Sequence, residues 1–80
     1  MLRTEDILRD AGRQLRRVLI QFHSSSGREY EREMEPYAIR DGELVAFSYL
    51  RDEFRTVKLG EITGVEITPR SFTPRREIEL

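Results

Sequence analysis

The 80-residue chain has no cysteine, a single histidine, a single lysine and no apolar run near membrane-spanning length. Without cysteine there is no disulfide framework, no thiolate zinc site and no cysteine nucleophile. Small secreted domains usually need such staples, so a cytoplasmic location is expected. The opening MLRTEDILRD lacks the apolar segment of a secretory signal, and no stretch approaches the roughly 18 apolar residues of a membrane span. Charge of one sign is also missing: 14 Lys+Arg stand against 15 Asp+Glu, for a net charge of −1. That balance excludes a generic nucleic-acid coat but leaves room for basic patches segregated onto one face.

What is present fits one domain and not two. A domain near this size buries only about 60 to 65% of the surface its unfolded chain exposes, so each large apolar side chain matters. The chain is 38% hydrophobic and 36% charged, with apolar residues spread along its length, which predicts folding rather than disorder.

Thr4 followed by Glu5 and Asp6 reads as a helix start, with a hydroxyl to cap exposed amides and carboxylates at the positive end of the helix dipole. Ile7, Leu8, Ala11 and Leu15 recur at helical spacing and predict an apolar face over a helix at about 4–16. Gly12 costs about 1 kcal/mol of helix propensity, tolerated as such or required by a close neighbour. From Val18 the period becomes two, and Val18–Phe22 reads as a first strand. The polar loop from His23 to Gly27 leads into Arg28–Glu35, where Tyr30, Arg32 and Met34 share one face and Glu29, Glu31, Glu33 and Glu35 the other. That second face is expected to look at solvent. Pro36 is expected to end the strand and Tyr37–Arg40 to form a short one. Asp41-Gly42 is a tight-turn pair leading into Glu43–Leu50, whose two apolar faces predict cover on both sides. Phe54–Leu59 and Glu61–Thr68 complete the strands, with a bulge at Gly64 to bring Ile62 into phase with Val65 and Ile67. The expected whole is mainly β with one N-terminal helix, about five antiparallel strands closing a small barrel over about 18–68. In the tail, 69–80, Phe72 is expected to fold back and the last residues to fray.

Enzyme constellations fall short: His23 and Ser24–Ser26 share a loop in which no third buried group can orient them, and the alternate glutamates have no histidine among them. No catalytic residue, metal site or cofactor is expected. The arginines are more informative. Arg32 shares a face with Tyr30 and Met34, and Arg55 shares one with Val57 and Leu59, so each guanidinium falls on the apolar side of its strand. One account is an internal ion pair or a snorkelling stem at the rim. The other is an anion site, with rigidly held forks of donors and Tyr30, Tyr37 or Tyr49 as an aromatic wall for a phosphate or base. Thirteen arginines against the lone Lys58 fit bidentate recognition, and fit codon composition or a warm habitat as well.

From Asp6 to Phe72 the chain resembles a WYL domain, a small module common in bacterial transcription regulators. The resemblance is carried by the helix and first strand, by Arg32-Glu33-Met34-Glu35-Pro36 at the family's arginine-x-x-glutamate-proline signature, by Asp41–Tyr49 at its name-giving strand, and by Phe54–Ile62 at its arginine-rich strand. Leu44-Val45-Ala46 stands in place of Trp-Tyr-Leu, Lys58 in place of an arginine, and Gly60-Glu61 in place of aspartate-arginine. The resemblance implies a five-stranded antiparallel Sm-like/SH3-like barrel with an attached helix. It also implies a ligand-sensing, non-enzymatic role in transcription regulation, through a basic, aromatic patch that binds a nucleotide or short single-stranded nucleic acid. Arg32, Tyr49, Arg55 and Lys58 match positions of that patch. Eighty residues leave no room for the DNA-binding segment that relatives carry, so the chain is expected to act alone or through a protein partner supplying DNA binding, with homo-oligomers possible through strand edges. The alternative is an interaction or self-assembly scaffold that has lost its ligand along with the family's Trp, Tyr and Arg.

Overall fold

The computed structural model describes residues 3–80; Met1 and Leu2, the first residues of the segment read for a secretory signal, lie outside them. Helix α1 spans Thr4–Gln14 and is followed by β1 (Arg16–His23), β2 (Glu29–Arg40), β3 (Glu43–Ser48), β4 (Glu53–Lys58), a 3-10 turn (Leu59–Glu61) and β5 (Ile62–Ser71). Arg3 takes the cap position in place of the expected Thr4, and its amide donates to the Asp6 carboxylate at 3.4 Å. Leu15, expected on the buried face, is instead the left-handed residue (φ 55°) that ends the helix, and it stays 38% exposed. Its amide donates to the Gly12 carbonyl at 3.2 Å, which turns the chain sharply into β1.

The five strands form one antiparallel sheet in the order β4-β3-β2-β1-β5. The expected closed barrel is corrected by this order: β4 and β5 are consecutive in the chain but lie at opposite edges of an open sheet. The Leu59 amide donates to the Gly42 carbonyl at 2.9 Å, tying the 3-10 turn to the β2–β3 turn, and β5 then pairs with β1. Asp41 (φ 50°) and Gly42 (φ 76°) make the expected tight turn. The expected bulge is also present: the β1–β5 register passes from Gln21 opposite Gly64 to Phe22 opposite Ile62, leaving Thr63 over.

Pro36 does not end a strand. β2 runs through it, and the register with β3 slips between Pro36 opposite Ala46 and Ala38 opposite Val45. β1 reaches only as far as the Val18–Met34 pair, so beyond Met34 the β1 side of β2 is a free edge, where a residue without an amide hydrogen is tolerated.

Both faces of the sheet are covered at its centre, as the two-sided pattern of β3 predicts. On one face α1 lays Leu8 and Ala11 against Val18, Ile20, Met34, Leu44, Ala46 and Val57. Each large side chain buried there contributes about 2 kcal/mol. On the other, Tyr37, Phe47 and Phe72 cluster with Tyr49 and Ile78. Phe72 folds back as expected, with its amide donating to the Leu15 carbonyl at 2.9 Å. The last residues, expected to fray, are packed: the Glu79 amide donates to the Tyr37 carbonyl at 2.7 Å. A Cβ on Gly12 would lie 2.5 Å from Leu80 Cδ1, so close packing accounts for that glycine.

Candidate anion-binding hollow

β2 and β4 flank β3, and side chains of like parity on the three strands stand on one face. Arg32 follows Tyr30 and precedes Met34 on that face of β2. Arg55, opposite Ala46, and Val57, opposite Leu44, occupy it on β4. Beyond the end of the α1-covered core these side chains border a hollow of about 230 Å³, lined by Arg32, Arg51 and Arg55 together with Tyr30, Phe22 and Met34, and closed by Ser24, Ser48, Thr56 and Val57. The volume lies just below the roughly 300 to 1,000 Å³ of common small-molecule sites, which suits one phosphate or base.

The walls are chemically mixed. The Arg32 guanidinium sits 5.0 Å from the Tyr30 ring centroid, and its Nη1 donates to the Glu31 carbonyl at 2.8 Å. Phe22 stacks with Tyr30, the ring centroids 5.5 Å apart with 25° between the planes. Among the described residues neither Arg32 nor Arg51 forms an ion pair, and Arg55 pairs with Glu53 at 3.1 Å. Both members of that pair are about half exposed (46% and 56%), and such pairs contribute at most about 1 kcal/mol, so an anion can displace Glu53. Three forks of donors thus border one concavity with one weakly held acid beside them.

The other two expected ligand residues are elsewhere. Tyr49 lies on the opposite face, where its hydroxyl donates to Glu35 and its ring lies 4.7 Å from the Arg17 guanidinium carbon. Lys58 stands opposite Glu43 at the far end of β4, three residues from Arg55, an odd spacing that puts it on the other face. Arg51 was missed because it lies in the β3–β4 turn, outside any strand period; its amide donates to Ser48 Oγ at 3.3 Å. Its position directly after the apolar strand was the available signal. His23, expected in the loop, closes β1 and faces Glu29 at 3.5 Å.

The glutamate face is also corrected. Glu29 and Glu31 are exposed, but Glu35 is 2% exposed. Its carboxylate accepts from the Tyr37 hydroxyl at 2.5 Å, from the Tyr49 hydroxyl, and from Arg75 Nε at 3.1 Å. Burial, reinforced by the bond to Glu35, pushes the Tyr37 hydroxyl up to about 12 and raises that of Tyr49 as well. Among the described residues no group of His, Cys, Asp or Glu could hold a metal ion, and no helix is long and apolar enough to cross a membrane.

The WYL domain family matches residues 3–67. The chain belongs to the WYL domain family. No curated protein matches it. Among solved structures this WYL domain is similar to the Proteasome accessory factor B/C (PafBC) of Arthrobacter aurescens, with a TM-score of 0.73 and 19% identity. The match covers 80% of this chain and 11% of that one, so the WYL domain spans about a tenth of that relative, and the likeness is one of fold.

Proposed function

We propose that this WYL domain is a non-enzymatic effector-sensing module of transcription regulation, which binds a nucleotide or the phosphates of a short single-stranded nucleic acid. The observation that carries the reading is that Arg32 and Arg55, from strands not adjacent in the sheet, line one hollow with Arg51. A planar fork suits phosphate oxygens, and the Tyr30–Phe22 stack offers a π-face to a base. Arg51 takes the place in the ligand set that the resemblance gave to Lys58, and Tyr30 that of Tyr49. The open sheet is read as a variant of the Sm-like/SH3-like barrel. The domain acts in the cytoplasm, needs no cofactor, and passes its signal to a DNA-binding partner protein.

Thermal melting with adenosine 5′-monophosphate and with a thymidylate tetramer tests the proposal. At about 100 times the dissociation constant, a ligand of the folded state adds about 2.7 kcal/mol of stability, a readily measured rise. No rise with either probe would remove the sensing role. A scaffold role is the second reading, favoured by Tyr49 being engaged on the opposite face and by the free edges of β4 and β5. Sedimentation at several concentrations separates the two, since a strict monomer has no self-assembly.

A further inference from the structure

The second covered face holds a site that the anion hollow does not use. Its centre is Glu35, a buried carboxylate held by two tyrosine hydroxyls and by one cation, Arg75. That guanidinium lies 3.8 Å from the Phe47 ring centroid, and the next residue, Arg76, lies 3.9 Å from that of Phe54. Three positions after Arg75, Ile78 joins the Tyr37–Phe47–Phe72 cluster, and Glu79 bridges in parallel to Ala38 on the part of β2 that β1 leaves bare. So residues 75–80 lie on the domain as a short extended peptide would. They add backbone bonding to an open sheet edge, place an arginine on a buried acid between aromatic rings, and set an aliphatic side chain in an apolar pocket.

The attachment is also of a kind that can come off. Beyond Phe72 the segment belongs to no strand or helix, and among the described residues its backbone donates two hydrogen bonds to the sheet, from the Glu79 amide to the Tyr37 carbonyl and from the Arg75 amide to the Tyr37 hydroxyl at 2.9 Å. The remaining contacts are side-chain contacts, and the Arg75 side chain is 44% exposed. The body of the sheet is held by continuous ladders instead. Segments with few ladder bonds open at far lower free energy than the core.

We propose that the face built from Glu35, Tyr37, Phe47 and Phe54, with the free edge of β2, is a docking groove for an extended segment of a partner protein carrying arginine followed three residues later by an aliphatic residue, and that residues 75–80 hold it in cis until displaced. Charge complementarity sets the partner's chemistry, because the buried carboxylate requires a cation and Phe47 and Phe54 favour a planar one. The proposal is independent of the anion hollow, which lies on the opposite face.

The test uses a fluorescent octapeptide with the sequence of residues 73–80, and the 80-residue chain in two forms, wild type and Arg75→Ser/Arg76→Ser/Ile78→Ser. The substituted chain is expected to bind the peptide at least tenfold more tightly than the wild type, and a peptide with alanine at its first arginine to lose at least tenfold. Equal binding by the two chains, or indifference to that arginine, overturns the proposal. Should the substituted chain fail to fold, hydrogen exchange on the wild type decides. Excess unlabelled peptide is expected to lower protection at 75–80 and leave the β1–β2 ladder unchanged, whereas unchanged protection at 75–80 overturns the idea. A concentration-dependent dimer that exchanges tails between copies, with no gain from added peptide, contradicts the partner assignment.

Discussion

The two faces of one sheet use arginine in opposite ways. Beside the hollow, Arg32 and Arg51 form no ion pair among the described residues, and Arg55 is held only by an exposed neighbour. On the other face Arg17 and Arg70 both approach Glu33, at 3.6 and 2.7 Å, while Arg75 binds Glu35 and Arg76 lies on Phe54. Adjacent residues of β2 therefore serve different ends. Glu33 and Glu35 join strands and tail on one side, while Arg32 between them borders the hollow and meets no acid among the described residues. A basic side chain on an apolar face is a sign of function only when the fold supplies no acid to meet it.

The largest effect expected from breaking this comparison comes from removing the acid of the satisfied face. Glu35→Ala leaves two tyrosine hydroxyls without their acceptor and is expected to lower stability by about 3 kcal/mol in denaturant unfolding, with little effect on nucleotide binding. The mirror experiment on the hollow, Arg32→Ala with Arg55→Ala, is expected to weaken nucleotide binding at least tenfold and to change stability by less than about 1 kcal/mol. Calorimetric titration checks the first part and chemical unfolding the second. Lys58→Ala should leave affinity within about twofold, since that side chain lies outside the hollow.

Alkaline pH loosens the satisfied face. Tyr37 holds its proton up to about 12 in the folded chain, against about 10 unfolded, so its contribution is complete below pH 10 and disappears between pH 10 and 12. Tyr49 is shifted in the same direction and adds to the loss. Melting temperature followed from pH 8 to 12 should fall through that window in the wild type and fall less in Tyr37→Phe/Tyr49→Phe. A small loss of stability is expected from Arg76→Ala, which removes a cation–π contact to Phe54 worth about 0.5 to 1 kcal/mol by thermal unfolding.

Most of the fold was legible because it follows from local rules. The 3.6 period of Leu8 and Ala11, the alternation of β1 and β2, the Asp41-Gly42 turn and the bulge beside Gly64 are properties of short stretches. Closure was not legible, since which strand β5 meets depends on how the 3-10 turn crosses the sheet end. Pro36 misled because a proline is excluded from a strand only where both edges are paired, and here one is free. Alternation placed Glu35 correctly on the face opposite Arg32 but said nothing of what covers it. The cover is the tail, which has no period of its own. For the site, period two sufficed to join Arg32 to Tyr30. Applied across β3 and β4, it also separates Tyr49 and Lys58 from the arginine pair, a step that family resemblance obscured.

The most direct test is a nuclear magnetic resonance titration of the arginine Nε–H signals with adenosine 5′-monophosphate. Shifts confined to Arg32, Arg51 and Arg55, with Arg17 and Arg75 unmoved, are the predicted result. Shifts at Arg17 or Arg75 alone, or none at saturating nucleotide, would contradict the assignment of the hollow as the place where this domain meets its ligand.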